Sequence, residues 1–189
     1  MSSLPPPELL TPRLLLRLVQ EADLTDLLAV HADEEVNRYL PYVTWRGMAD
    51  AQAWYAKVLQ RRREGSAMQF VLQQQAGGRV IGGCLLFRFE PESGLAELGY
   101  ALGRRDWGEG YMQEALSALL DYAFGAMQLR RIEAEVDPRN RASGQLLLGL
   151  GFQCEGLLRQ RRLMKGEIKD AQMYGLLRDE WLARRAGSR

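Results

Sequence analysis

Arg104-Arg105-Asp106-Trp107-Gly108-Glu109-Gly110-Tyr111 separates a strand pattern from a helix pattern. Before it, Leu95 to Leu102 reads as an extended segment. After it, Met112, Ala115, Leu116, Leu119 and Ala123 recur at helical spacing, so a helix is expected from about Gly108 to Gly125. The first turn of a helix presents N–H groups without intrahelical partners and the positive end of the macrodipole. Gly108 and Gly110 let that backbone approach an anion closely, and Arg105 adds a fixed charge, so the turn suits a phosphate or pyrophosphate. The alternative is an ordinary tight turn. A Walker loop needs Gly-Lys-Ser/Thr. A dinucleotide fingerprint wants a third glycine where Gln113 stands, after the first strand of a βαβ unit. Neither pattern is present.

Working outward, Leu14, Leu16 and Leu18 alternate along a first strand. Leu24, Leu27, Leu28 and His31 fall at helical spacing behind Asp23, a candidate N-cap. A second helix covers about Met48 to Arg63. The aromatic link Arg38 to Trp45 reads either as packing or as a substrate-facing wall, and His31 either as a partly buried structural histidine or as a catalytic one. Met68, Phe70 and Leu72 mark a second strand, Ala76-Gly77-Gly78 a hairpin turn, and Arg79 to Phe89 a third, central strand. Leu95 to Leu102 is the fourth strand and Arg131 to Val136 the fifth. A short helix spans about Ala142 to Leu150. Phe152 to Leu163 and Lys169 to Leu177 form a last hairpin around Lys165-Gly166. A helix between the fourth and fifth strands implies a parallel pair inside a mixed sheet, and diverging parallel neighbours open a ligand site at their carboxyl ends.

A chain of 189 residues with 47% apolar and 26% charged residues suits one globular domain. We expect it over 9–182, between a lead-in of residues 1–8, read as extended and not as a signal peptide, and a frayed tail over 183–189. A formal net charge of +1 gives no bulk case for nucleic acid or an anionic membrane. Cys84 and Cys154 each sit in an apolar stretch and read as small buried hydrophobes, not a disulfide pair, and with the single His31 they form no metal-ligand spacing. No metal is expected, no apolar run reaches membrane length, and the expected location is the cytoplasm.

Arg105-x-x-Gly108-x-Gly110 resembles the acetyl-CoA pyrophosphate loop of the GNAT N-acetyltransferase superfamily. Leu10-Thr11-Pro12-Arg13-Leu14-Leu15-Leu16-Arg17 resembles the first strand of its RimJ/RimL-type subgroup, the ribosomal-protein N-terminal acetyltransferases. So do Glu97-Leu98-Gly99-Tyr100, Asn140-x-x-Ser143, Gly151-Phe152-x-x-Glu155-Gly156 and the closing run Lys169 to Trp181. These blocks cover roughly residues 9 to 182 in order. The resemblance implies an α/β (α+β) GNAT fold: a mixed, mostly antiparallel sheet of about seven strands, a splayed parallel pair formed by the fourth and fifth, and about four helices.

The resemblance further implies acetyl-CoA as cosubstrate and a primary amine as acceptor, attacking the thioester directly. The acceptor is a protein or peptide N-terminus, or a small amine such as an antibiotic, polyamine or amino-acid derivative. A non-catalytic acyl-CoA-binding module is the reading outside catalysis, and a homodimer stays open. The pantetheine arm would lie along Tyr100, Ala101 and Leu102, contacted mainly through backbone groups, with a bulge in that strand aiming an N–H at the thioester oxygen. The diphosphate would sit on the N–H groups of Trp107, Gly108, Glu109, Gly110 and Tyr111, beside Arg105. Asn140 would fix the coenzyme arm, or merely shape a turn. Ser143 is the candidate general acid, or a residue bonding backbone at a helix start. Glu97 is the candidate general base, on a strand face that Gly99 and Ala101 leave open, or a carboxylate paired with an arginine. Asp170 and Glu167 are weaker candidates. The position where many GNAT enzymes carry an acidic tyrosine is Leu147, so a tyrosine acid would need a substitute such as Tyr174. Where some ribosomal-protein enzymes carry a carboxylate, this chain has Arg159, Arg161 and Arg162, which would steer an acidic substrate or be plain solvated charges.

Overall fold

The computed structural model describes residues 8–187, so the expected lead-in lies outside them except for Glu8. The elements are β1 (Leu9–Leu10), β2 (Leu14–Leu18), α1 (Leu24–His31), α2 (Glu34–Asn37), α3 (Met48–Arg63), β3 (Ala67–Gln74), β4 (Val80–Glu90), β5 (Leu95–Leu102), α4 (Tyr111–Gly125), β6 (Arg131–Val136), α5 (Arg141–Leu150), β7 (Gln153–Met164), β8 (Glu167–Leu177) and α6 (Arg178–Gly187). Single 3-10 turns, Glu21–Asp23 and Arg104–Asp106, lead into α1 and the loop before α4. The strands form one sheet in the order β1-β2-β3-β4-β5-β6-β8-β7. Every pair is antiparallel except β5 with β6.

The sheet is covered on both faces. Because side chains alternate along a strand, Phe70 and Leu72 point one way and Val71 the other. The first face packs Leu86, Leu98 and Ile132 against Leu116, Leu119, Leu120 and Phe124 of α4. The second carries a smaller cluster in which Val71 meets Leu27, Trp45, Ala51 and Val58 from the α1–α3 layer.

The fork in the sheet is the feature that positions the site. Parallel pairing of β5 with β6 covers only Leu95↔Arg131, Ala96↔Ile132 and Glu97↔Glu133. Beyond it β5 stays with β4 as far as Leu102↔Gly82, while β6 stays with β8 as far as Val136↔Gln172. The backbone edge that would pair with β6 is therefore left open at Leu98 and Tyr100.

Several expectations need correction. Eight strands and six helices are present among the described residues, against about seven and four. The additions are two-residue β1, one-turn α2, and α6. That last helix runs to Gly187, through residues expected in a frayed tail from Ala183. It is held by Trp181, 2% exposed, whose Nε1–H donates to Asp121 at 2.9 Å, and by Arg185 on the same carboxylate at 2.7 Å. Asp23 does not cap α1 through its side chain. Its carboxylate accepts from the Gln20 N–H at 2.8 Å and from both terminal nitrogens of Arg17 at 2.8 and 2.7 Å. Cys84 is buried but Cys154 is exposed, because β7 is the outer strand of the sheet and shows solvent on both faces from Gln153 to Arg161.

Candidate functional site

The segment between β5 and α4 is shaped by three anchors. Asp106, buried in the 3-10 turn, receives two hydrogen bonds from Arg79 at 3.1 and 2.6 Å. Trp107 folds back so that its Nε1–H donates to the Leu102 carbonyl at 2.8 Å. Gly108 and Gly110 then take φ values of 80° and 77°, the left-handed region that glycine enters without a Cβ penalty. The first intrahelical bond of α4 runs from the Glu114 N–H to the Gly110 carbonyl. The N–H groups of Tyr111, Met112 and Gln113 are thus free for an external acceptor at the positive end of the helix.

The amino-terminal strand region clasps this turn from behind. Arg13 donates through Nη1 to the Glu109 carbonyl at 2.9 Å and through Nε to Glu114 at 2.6 Å, with its guanidinium 4.3 Å from the centre of the Tyr111 ring. The Thr11 hydroxyl donates to the same Glu114 at 2.6 Å. Burial would raise the Glu114 carboxyl, but the Thr11 and Arg13 bonds outweigh it and hold the group below its ordinary value.

A cleft of about 1520 Å³ runs from this turn through the fork to the α1–α3 side. Glu97, Tyr100, Ala101, Leu102, Trp107, Gly108, Gly110, Tyr111, Asn140 and Ser143 all line it. Arg105 and Glu109 do not. Arg105 is exposed on the 3-10 turn, and the Glu109 carbonyl faces Arg13. Across the fork from β5, Asn140 caps α5, its Oδ1 accepting from the Ser143 N–H at 3.2 Å. That frees the Ser143 hydroxyl to meet the Tyr100 hydroxyl at 2.6 Å. Burial pushes the Tyr100 phenol up to about 12, with the Ser143 bond working against it. Tyr100 was expected to act mainly through its backbone. The signal for its hydroxyl lies in tertiary packing, which brings α5 onto the open flank of β5. Tyr174 is buried against Gly144, its hydroxyl donating to Gln172 at 3.2 Å, and it does not line the cleft.

On the opposite face of β5, Glu97 accepts from Arg88 at 2.6 Å, with its side chain 12% exposed. This geometry matches the paired-carboxylate alternative. The room expected above Gly99 is occupied, since a Cβ there would lie 2.7 Å from Leu85 Cδ2. The expected bulge is also displaced. Between Phe87↔Glu97 and Glu90↔Leu95 the extra residue belongs to β4, with Arg88 at φ 50°, while β5 runs in unbroken register from Glu97 to Leu102. Arg162 is committed to Glu135, through Nη2 at 2.7 Å and also through Nε, and Arg161 lies 4.0 Å from the same carboxylate. Asp170 accepts from the Gln160 N–H at 2.7 Å inside the last hairpin.

A roof spans the fork. Residues 32–44 form a loop closed at its neck by the Trp45 N–H donating to the His31 carbonyl at 3.0 Å. On the β5 side, Asp33 stands 4.0 Å from Arg104. On the far side, Lys165 at the tip of the β7–β8 hairpin donates to the Asn37 carbonyl at 2.5 Å, and the Tyr39 hydroxyl to the Arg139 carbonyl at 3.4 Å. Tyr42 and Trp45 pack on His31 with ring centres 5.5 and 4.5 Å away, and both also line the cleft. The aromatic link is thus packing and wall at once.

Comparison with known proteins agrees with this architecture. A family model described as an acetyltransferase (GNAT) domain matches residues 13–153. An uncharacterized N-acetyltransferase, p20, of Bacillus licheniformis is 38% identical over 92% of this chain and 97% of its own. The [ribosomal protein uS5]-alanine N-acetyltransferase of Escherichia coli K12 is 31% identical, over 95% of each chain. A solved structure of Mycobacterium smegmatis RimJ in complex with CoA-disulfide superposes with a TM-score of 0.82 at 22% identity, covering 95% of each chain.

Proposed function

The chain belongs to the GNAT acetyltransferase family and is an acetyl-CoA-dependent N-acetyltransferase, and from that premise we propose that its acceptor is the α-amino group of a protein or peptide. The carrying observation is the shape of the acceptor side. Beside the cleft, sharing Arg38, Tyr39, Arg139 and Lys169 with its lining, lies a pocket of about 330 Å³ between Arg38–Tyr39 and the hairpin residues Met164, Lys165 and Lys169. That trough has room for residues following an amino terminus. The relationship to the uS5-alanine enzyme supports the same reading.

The residues present fit acetyl-CoA. The diphosphate would rest on the free N–H groups around Gly108, Gly110 and Tyr111, a cradle whose helix end favours anions. The pantetheine arm would complete the open backbone edge at Leu98 and Tyr100, with Trp107, bonded to the Leu102 carbonyl, and Tyr111 as walls. An N–H on that same edge, not a bulge in the strand, would receive the oxyanion of the tetrahedral intermediate. The acceptor nitrogen attacks the thioester carbon, the C–S bond breaks, and the departing sulfur is protonated by Ser143, backed by the Tyr100 hydroxyl. Asn140 acts by holding the start of α5, and thereby Ser143, in place.

Release of coenzyme A is measured with free-amino peptides, their Nα-blocked counterparts, and a small-amine panel of polyamines, aminoglycosides and amino-acid amides. Free-amino peptides are expected to give kcat/KM at least ~100-fold above the small amines. A small amine matching or exceeding them overturns the peptide acceptor. Tight acetyl-CoA binding with no turnover of any amine assigns a non-catalytic acyl-CoA module instead.

A further inference from the structure

The acetyl-transfer reading leaves the acceptor's proton without a taker, since Glu97 is held by Arg88. His31 has the geometry for that task. It ends α1 at the neck of the roof and is 4% exposed. The preceding residue, Val30, abuts the carboxyl end of β5, where a Cβ on Gly103 would lie 3.3 Å from Val30 Cγ2. His31 itself lines the cleft.

The hydrogen bonds around Asn37 fix the imidazole tautomer. Asn37 is fully buried, and its Nδ2 donates to the carbonyls of His31 at 2.5 Å and Asp33 at 2.9 Å. Both amide hydrogens are thus committed, and the atom facing His31 Nδ1 at 3.2 Å is Asn37 Oδ1, an acceptor. Nδ1 must carry the hydrogen, so Nε2 carries the lone pair. Nε2 bonds to no group of the described residues, and among these no buried side-chain nitrogen or oxygen lacks a partner. Nε2 is therefore not fully enclosed, and His31 lines the cleft.

We propose that His31 is the general base of the acetyl transfer, its Nε2 taking a proton from the acceptor ammonium directly or through one water. Of the three ammonium protons, one stays on the amide nitrogen and one leaves through Nε2 to solvent. The third ends on the coenzyme sulfur by way of the Ser143–Tyr100 hydroxyl pair, which finishes as it began. The C–N bond forms as the C–S bond breaks, and no redox partner is involved.

Burial lowers the imidazole below its ordinary value, against the opposing Asn37 bond, so the ring is neutral and ready at pH 7. Charge around it is distributed over several elements. Asp33 and Arg104 face each other beside the roof, and Lys165 lies one hydrogen bond beyond Asn37. Tyr42 packs against the ring. Asp50, Lys57 and Arg61 of α3 and the Arg88–Glu97 pair of the sheet line the same cleft.

The test is His31→Asn, which keeps a donor for Asn37 Oδ1 and removes the Nε2 lone pair. Acetyl-CoA affinity and melting temperature are measured beside kcat/KM from pH 5.5 to 9. The expected variant binds acetyl-CoA as the wild type does. Its kcat/KM falls by about 100-fold where the amine is protonated. The deficit shrinks to a few-fold above about pH 8, where an α-amino group is already neutral. A deficit equal at every pH, or none, overturns the assignment while leaving acetyl transfer intact. Wild-type protein that binds no acetyl-CoA overturns both. Should the variant not fold, the wild type decides: its single histidine gives one imidazole ¹H–¹⁵N pattern. The Nδ1–H tautomer at pH 7, with Nε2 shifted by an acceptor peptide, is the expected result. The Nε2–H tautomer, or an Nε2 signal unmoved by the peptide, overturns the proposal.

Discussion

Replacing Gly108 by alanine separates the anion cradle from the rest of the fold. A Cβ at Gly108 would meet no atom within 4 Å, so packing does not resist the change. The cost in the free protein is conformational. A left-handed φ of 80° is disfavoured for an L-residue by roughly 1–2 kcal/mol. For a domain of this size that is a fall in melting temperature of about 2–8 °C. Gly77 is a matched control, since its φ of 85° lies in the β3–β4 turn and its Cβ would also meet nothing within 4 Å. Gly77→Ala should destabilise the protein by the same amount. Only Gly108→Ala should also weaken acetyl-CoA, because relief of the strain turns neighbouring N–H groups away from the diphosphate. Hydrogen bonds to a charged group contribute about 1.5–3 kcal/mol each. Loss of one therefore lowers affinity by about 10- to 150-fold. Differential scanning fluorimetry and titration calorimetry give the two numbers for each variant. Equal acetyl-CoA affinity in the two variants would refute the placement of the diphosphate.

Two further outcomes follow from the site. Ser143→Ala and Tyr100→Phe should each lower kcat by roughly 10- to 100-fold with little change in acetyl-CoA affinity, and the double variant should be no worse than the weaker single, as for groups acting as one unit. Multiplying effects in saturating steady-state kinetics would show that the two hydroxyls act separately. Acid sensitivity comes from carboxyls held below their ordinary values. Asp137 is lowered chiefly by its bond to Arg139, Glu155 chiefly by Arg131, and Glu114 by Thr11 and Arg13 against burial. Depressed native values mean that this stability is fully present above the unfolded values of about 4 and is lost as pH falls through the native ones. The urea midpoint should be flat from pH 7 to 5 and fall below about pH 4; a midpoint unchanged at pH 3 would show that these pairs contribute nothing.

The fork and the glycine turn were legible because local chemistry writes them. Periodicity marks β5 and α4, and Gly108 and Gly110 mark the backbone reversal between them. What escaped depends on partners distant in sequence. The Tyr100–Ser143 contact joins residues on opposite sides of the fork, and the Arg13 clasp joins the first strands to α4. The tail was misread because α6 is rich in arginine, and its docking rests on Trp181 and a carboxylate sixty positions away. Cys154 was misread because an outer strand exposed on both faces can still carry leucines. The displaced bulge depends on Arg88 adopting φ 50°, which nothing in its neighbours announces.

Only three residue pairs stitch β5 to β6. The sheet therefore consists of two plates, one carrying β1 to β5 and the other β6, β8 and β7, riveted at one end and gaping at the other. A pantetheine chain lying in the gap would supply the missing rungs of the ladder. The cosubstrate would then be part of the mechanical cohesion of the folded enzyme, and cofactor-starved protein would be the form most open to unzipping and proteolysis along that seam.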